Sequence, residues 1–127
     1  IKELSGGIGP NVIYDPVGGS YSEPCLRSIA WEGRYLVIGF AAGADQIPKM
    51  PLNLTLLKGC QIVGVFWGAW VGMHPEENKK NFEELFKLHS EGKIDPEVSD
   101  SFTLDDGALA IAHLKDRKAK GKVIIEI

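Results

Sequence analysis

Cysteine is scarce. The two residues, Cys25 and Cys60, stand far apart and outside any CxxC or Cys/His spacing, which excludes a disulfide scaffold and a cysteine-built metal site and predicts buried, reduced thiols in a reducing compartment. Long apolar runs are missing as well. No stretch approaches the ~20 residues of a membrane helix, and no basic stretch leads into an apolar segment at the start, so the expectation is a soluble chain with no membrane contact. Positive charge is in deficit. With 14 Lys and Arg against 17 Asp and Glu, the net charge of -3 argues against a nucleic-acid partner. Histidine is limited to His74, His89 and His113, and these build no Ser/His/Asp grouping, metal-ligand cluster or paired carboxylates with the acids. The expected metal set is therefore none, and the local chemistry names no catalytic residue.

What is present is enough apolar residue, 44% of 127, to bury a core of ordinary domain size. The chain is organised around Tyr35 to Phe40 (YLVIGF), whose lack of polar alternation predicts a strand buried on both faces, the habit of parallel sheets. Its carboxyl end opens into Gly39–Gly43, where backbone can approach a flat ligand, and ligands of open α/β sheets bind at that end. Upstream, Asn11–Asp15 reads as a buried strand ending in an acid, followed by Pro16-Val17-Gly18-Gly19. Ser20 or Ser22 then caps a helix with Cys25, Leu26, Ile29 and Ala30 on one side, giving one βαβ unit. Downstream, Pro51 opens a short helix closed by Lys58-Gly59, and Cys60–Trp67 forms a third strand. Three parallel strands joined by helices make half of a doubly wound sheet, and the missing half is expected before Ile1.

Beyond Trp70 the pattern changes. Pro75–Glu91 predicts the strongest helix, with Glu76 and Glu77 in its first turn, Phe82, Leu85, Phe86 and His89 on one face and Gly92 beyond its end. Val98–Leu104 alternates as a half-exposed strand. Thr103 and Asp106 resemble a capping box for a helix over Asp105–Lys118, and Lys122–Ile127 closes as a strand. This strand-helix-strand piece is expected to pack on another domain.

Local motifs leave alternatives open. Gly6, Gly7 and Gly9 do not form GxGxxG, since Val12 stands where the last glycine should. Pro16–Gly19 is either a close-approach loop for a cofactor or an ordinary strand-to-helix turn. Val65, Phe66 and Trp67 either wall a flat heteroaromatic ligand or pack in the core. The basic run Lys115–Lys122 either holds a phosphate or answers the helix dipole.

Taken in order, YDPVGG, WEGRYLVIGFAAG, PLNLTLLKG, GVFWGAW and GKIDPEVSDSFTLDDGALAIAHLKDRKAKGKVII resemble the carboxyl-terminal part of a medium-chain dehydrogenase/reductase of the zeta-crystallin-like quinone oxidoreductase branch. The resemblance implies an α/β fold. Residues 1–68 would be the last three strands of a Rossmann-type NADP(H)-binding domain, and 69–127 a helix-strand-helix-strand segment returning to a GroES-like catalytic domain. It implies zinc-independent hydride transfer from NADPH to quinones or related α,β-unsaturated carbonyls. Pro16, Val17 and Gly18 would border the adenosine or ribose. Gly39, Phe40 and Ala41, with Val65, Phe66 and Trp67, would wall the ribose and nicotinamide, and Lys122 would reach a cofactor phosphate. A homodimer through the edge strand 60–67 is expected, in the cytoplasm or the mitochondrial matrix. The catalytic residues would lie upstream, so this piece alone is expected to be inactive. The rival readings are a zinc-dependent alcohol dehydrogenase and a non-catalytic interaction protein on the same scaffold.

Overall fold

In the computed structural model, which describes residues 1–127, the β-branched and aromatic run before Pro16 forms β1 (Val12–Asp15). A loop and a short turn lead into α1 (Ser22–Ser28), where Pro24 falls in the first turn and needs no donor. β2 (Arg34–Val37) follows, then α2 (Asn53–Lys58), stopped by Gly59 in the left-handed region, then β3 (Gln61–Gly64). The three strands pair in parallel in the order β1-β2-β3, with Ile13, Tyr35 and Ile62 in one row and Asp15, Val37 and Gly64 in another. Parallel neighbours need crossovers, which α1 and α2 supply. The sheet is followed by α3 (Trp67–Met73).

The core lies on one face of this sheet. Leu26 and Ile29 are fully buried beside Tyr35 and Leu54, with Ile13, Val37, Met50 and the half-buried free thiols Cys25 and Cys60 packed around them. Full burial of an aliphatic side chain such as Leu26 contributes about 1.5–3 kcal/mol. The opposite face is open. Val12 and Tyr14 are exposed, and Val63 is exposed in β3. The two-faced burial expected of the central strand is therefore corrected: Tyr35 is buried, Leu36 and Val37 are half-buried, and no helix of this first unit supplies the second layer. Strand lengths are corrected too. The β2 ladder stops at Val37, which leaves Gly39 and Phe40 in the loop, and β3 stops at Gly64, which puts Trp67 at the start of α3.

The chain divides into two compact units, Ile1–His74 and Pro75–Ile127. The second begins with α4 (Pro75–Ser90), followed by β4 (Val98–Thr103), α5 (Gly107–Lys115) and β5 (Lys122–Glu126). Pro75 at the first position and acids in the first turn account for the start of α4; its apolar side chains Phe82, Leu85 and Phe86 are all exposed. β4 and β5 form their own parallel two-stranded sheet, with an irregularity at Ser99. The Ser99 hydroxyl there accepts from Gly121 N at 3.0 Å and donates to Asp100 at 2.6 Å. The expected capping box is not formed: the Thr103 hydroxyl donates to the Asp106 carboxylate at 3.0 Å, and no side chain caps α5. No helix is long and apolar enough to cross a membrane.

Candidate functional site

Where β2 and β3 end, the chain turns away at Ile38-Gly39-Phe40 and at Val65-Phe66. Between these two departures lies a cavity of about 490 Å³, lined by Val37, Ile38, Gly39, Phe40, Gly64, Val65 and Phe66. It stands at the carboxyl ends of parallel strands, where a doubly wound sheet has its binding crevice. The lining is almost wholly apolar and has no titratable side chain. It can hold a flat ring and exclude water from one side of it, but it offers no acid or base.

The adjoining wall comes from the loop after β1. Pro16 O accepts from Ala41 N at 3.1 Å and Val17 O accepts from Ala42 N at 2.9 Å, so the two loops are joined by backbone. Gly18, at φ +69, places backbone where a Cβ would stand 3.0 Å from the Phe40 ring. The positive φ requires glycine at this position, and the close approach to Phe40 adds to it. Thus the structure brings Pro16, Val17, Gly18, Gly39, Phe40, Ala41, Val65 and Phe66 to one end of the sheet. Trp67 opens α3, 57% exposed, outside the cavity lining. Lys122 opens β5 in the second unit, its backbone N–H donating to Glu97 O at 2.7 Å. Gly6, Gly7 and Gly9 lie before β1, at the other end of the strand.

Beneath the loops sits a polar group not singled out from the sequence. Asp15 is 9% exposed, and its carboxylate accepts four hydrogen bonds. Oδ1 takes Val17 N at 2.9 Å and Gly18 N at 2.8 Å, and Oδ2 takes the Ser22 hydroxyl at 3.1 Å and the Tyr35 hydroxyl. Burial alone would push the Asp15 carboxyl up, but the bonds from Gly18, Tyr35, Val17 and Ser22 together hold it below its ordinary value. The same contact acts oppositely on its partner: burial, then the bond to Asp15, pushes the Tyr35 phenol up to about 12. Cys25 is likewise raised, by burial and then by the Asp15 charge. The one signal in the sequence is an acid ending an apolar strand. Its partners come from three separate elements, which pattern alone does not reveal.

The glycines and rings of the crevice fit the nicotinamide half of a dinucleotide: nothing lies within 4 Å of a Cβ position on Gly64, so the floor beside Phe40 and Phe66 is bare backbone. Zinc is not fitted by this chain's own residues, since no three His, Cys, Asp or Glu side chains converge.

Comparison with known proteins agrees with the fold. The family model described as zinc-binding dehydrogenase matches residues 3–125. The chain is 39% identical over 126 residues to the quinone oxidoreductase-like protein 2 homolog of Nematostella vectensis, covering 98% of this chain and 34% of that protein. Against quinone oxidoreductase-like protein 2 of Bos taurus the identity is 35%, over 100% of this chain and 36% of the relative. The chain thus spans about a third of the length of the curated relatives it matches. Among solved structures, a mycobacterial protein complexed with NADPH superposes with a TM-score of 0.83 at 25% identity, over 99% of this chain and 38% of that one. With its parallel βαβ sheet and the family model matched along nearly its whole length, the chain belongs to the medium-chain dehydrogenase/reductases, within their zinc-binding dehydrogenase family and alongside quinone oxidoreductase-like proteins.

Proposed function

We propose that this chain is part of an NADPH-dependent oxidoreductase that reduces quinones or related α,β-unsaturated carbonyls without zinc. The observation that carries the reading is the apolar crevice at the ends of β2 and β3, where Gly64 exposes backbone beside Phe40, Val65 and Phe66. Bound NADP(H) would supply the hydride. The protein's part is orientation. Phe40 and Phe66 hold the nicotinamide plane, Val65 and Ile38 keep water from one side of it, and Pro16, Val17 and Gly18 border the ribose through the loop joined to Ala41 and Ala42. Trp67 stands outside the cavity lining and Lys122 belongs to the second unit, so neither enters this proposal.

Because this chain covers about a third of its relatives, the acid and base of the reaction belong to a GroES-like catalytic part of a longer protein. Residues 1–68 are assigned to the cofactor domain and 69–127 to the segment returning to the catalytic one. A second copy is proposed to pair along segment 60–67, since β3 has no partner on its outer side and Ile62 and Val63 are exposed there. A zinc-dependent reaction receives no ligand set from these residues, and no step is assigned to a metal.

The test is a fluorescence titration with NADPH of this chain beside one lengthened at its amino terminus to the size of its relatives. Binding by the lengthened chain alone is the expected result. Two folded proteins that both fail to bind would overturn the assignment in favour of a non-catalytic scaffold.

A further inference from the structure

Outside the crevice lining, the most heavily bonded side chain of the first unit is Asp15. Its partners join three pieces of chain: the loop through Val17 and Gly18, the start of α1 through Ser22, and β2 through Tyr35. Its own carbonyl oxygen accepts from Ile38 N at 2.9 Å, in the departure of β2 toward the crevice. The next two residues accept the bonds that Ala41 N donates to Pro16 O and Ala42 N donates to Val17 O. One residue therefore sits at the root of both loops that border the crevice. A carboxylate suits the post because it is acceptor-only, with two oxygens that can each take two donors. The two backbone N–H groups on Oδ1 hold the loop in its turn, and the two hydroxyls on Oδ2 hold that turn against the helix and the central strand.

We propose that Asp15 is a positioning residue for the cofactor crevice, setting the paired loops Pro16–Gly19 and Gly39–Ala42 in the shape that receives the nicotinamide ribose. The assignment of ligand rests on the function proposed above; the positioning of the loops does not. Asp15 lies outside the crevice lining and acts through Gly18 against Phe40 and through Pro16 and Val17 against Ala41 and Ala42.

The substitutions separate its two oxygens. Asp15→Ala removes all four bonds. Asp15→Asn keeps one oxygen for Val17 and Gly18 and turns an amide NH₂ toward hydroxyls, which can accept from it. Tyr35→Phe removes the hydroxyl that holds the Asp15 carboxylate against the central strand, so it loosens the loop bonds on Oδ1 without deleting them. Amide hydrogen exchange on this chain reads the loops directly. In Asp15→Ala, Val17, Gly18, Ala41 and Ala42 are expected to exchange about ten-fold faster or more, while the β2 ladder amides and those of β4 and β5 keep their rates. Asp15→Asn should restore most of the protection. If Asp15→Ala does not fold, faster exchange confined to the four loop amides in Tyr35→Phe and Asp15→Asn, smaller in size, carries the same conclusion. Unchanged loop exchange in the folded variants overturns the proposal. So does equal acceleration throughout Ile1–His74, which would reduce Asp15 to a general core contact.

The ligand is tested separately on the lengthened chain, where Asp15→Ala should raise the Kd for NADPH about ten-fold and Asp15→Asn much less. A wild-type lengthened chain that binds no NADPH would sink the cofactor reading, with Asp15 still judged by the exchange rates of its loops.

Discussion

A Cβ on Gly39 would stand 3.2 Å from the carbonyl oxygen of Pro16, whereas a Cβ on Gly64, on the same cavity wall, would meet nothing within 4 Å. The two glycines do different work. The first admits the β1 loop, and the second leaves floor open to a ligand. Gly39→Ala should destabilise the chain by about 1–3 kcal/mol, the range for forcing an extra carbon into packed surroundings. Gly64→Ala should be neutral or stabilising by up to about 1 kcal/mol, because glycine within a strand is entropically costly. Urea unfolding of the two variants gives the comparison, and equal losses would refute it.

The Asp15–Tyr35 contact predicts loss of stability at both extremes of pH. The Asp15 carboxyl is held below its ordinary value in the folded chain, so its contribution is complete above about pH 4 and fades as pH falls through the lower folded value. Tyr35 runs the other way. Raised from 10.0 to about 12, it contributes fully below pH 10 and loses that contribution as pH rises toward 12. Tyr35→Phe should remove the alkaline component. Unfolding midpoints measured between pH 9 and 12 would show a flatter dependence in the variant than in the parent.

Phe66 is 80% exposed while lining the crevice, so its cost to stability and its worth to binding are separable. Phe66→Ala should change stability by about 0.5 kcal/mol or less, as exposed positions do. The same change should weaken NADPH binding by the lengthened chain by about 0.5–1.5 kcal/mol, the value of an aromatic ring contact. Calorimetric melting and NADPH titration of one preparation decide it; unaltered affinity would remove Phe66 from the nicotinamide wall.

In the second unit, His113 Nε2 lies 3.2 Å from Asp100 Oδ2, and its ring packs on Phe102 with centroids 5.6 Å apart. Asp100 is held below its ordinary value by the Ser99 hydroxyl first and also by His113. Its contribution is therefore present above about pH 4 and lost as pH falls through the folded value. Asp100→Asn should lower the melting temperature at pH 7, and the gap to the parent should narrow as pH falls below about 4. A gap of constant size across that range would show that the carboxylate charge plays no part.

Period and punctuation made most of the elements legible. Asn11–Asp15, Gly59 and Pro75 each announce a boundary through chemistry local to themselves: β-branched residues, a left-handed stop, and a missing donor in a first turn. α3 was not read, because Trp67–Met73 continues the same apolar composition as the strand before it, and composition cannot mark the change from one period to the other. The two-sided burial read from YLVIGF also failed for this chain. An apolar run states that a side chain should avoid water, but it does not say which chain provides the cover.

The crevice residues were legible for a similar reason. Glycines and rings at the carboxyl end of a parallel strand mark a place where backbone can meet a flat ligand, and Gly39, Phe40, Val65 and Phe66 do line one cavity. The amino-acid sequence by itself determined the βαβ order, which follows from local period, and the resemblance to its family, which follows from the order of its motifs. Only the tertiary structure decided the role of Asp15. Its four donors lie two to twenty residues away in sequence, and only parallel pairing of β1 with β2 brings the Tyr35 hydroxyl onto its carboxylate.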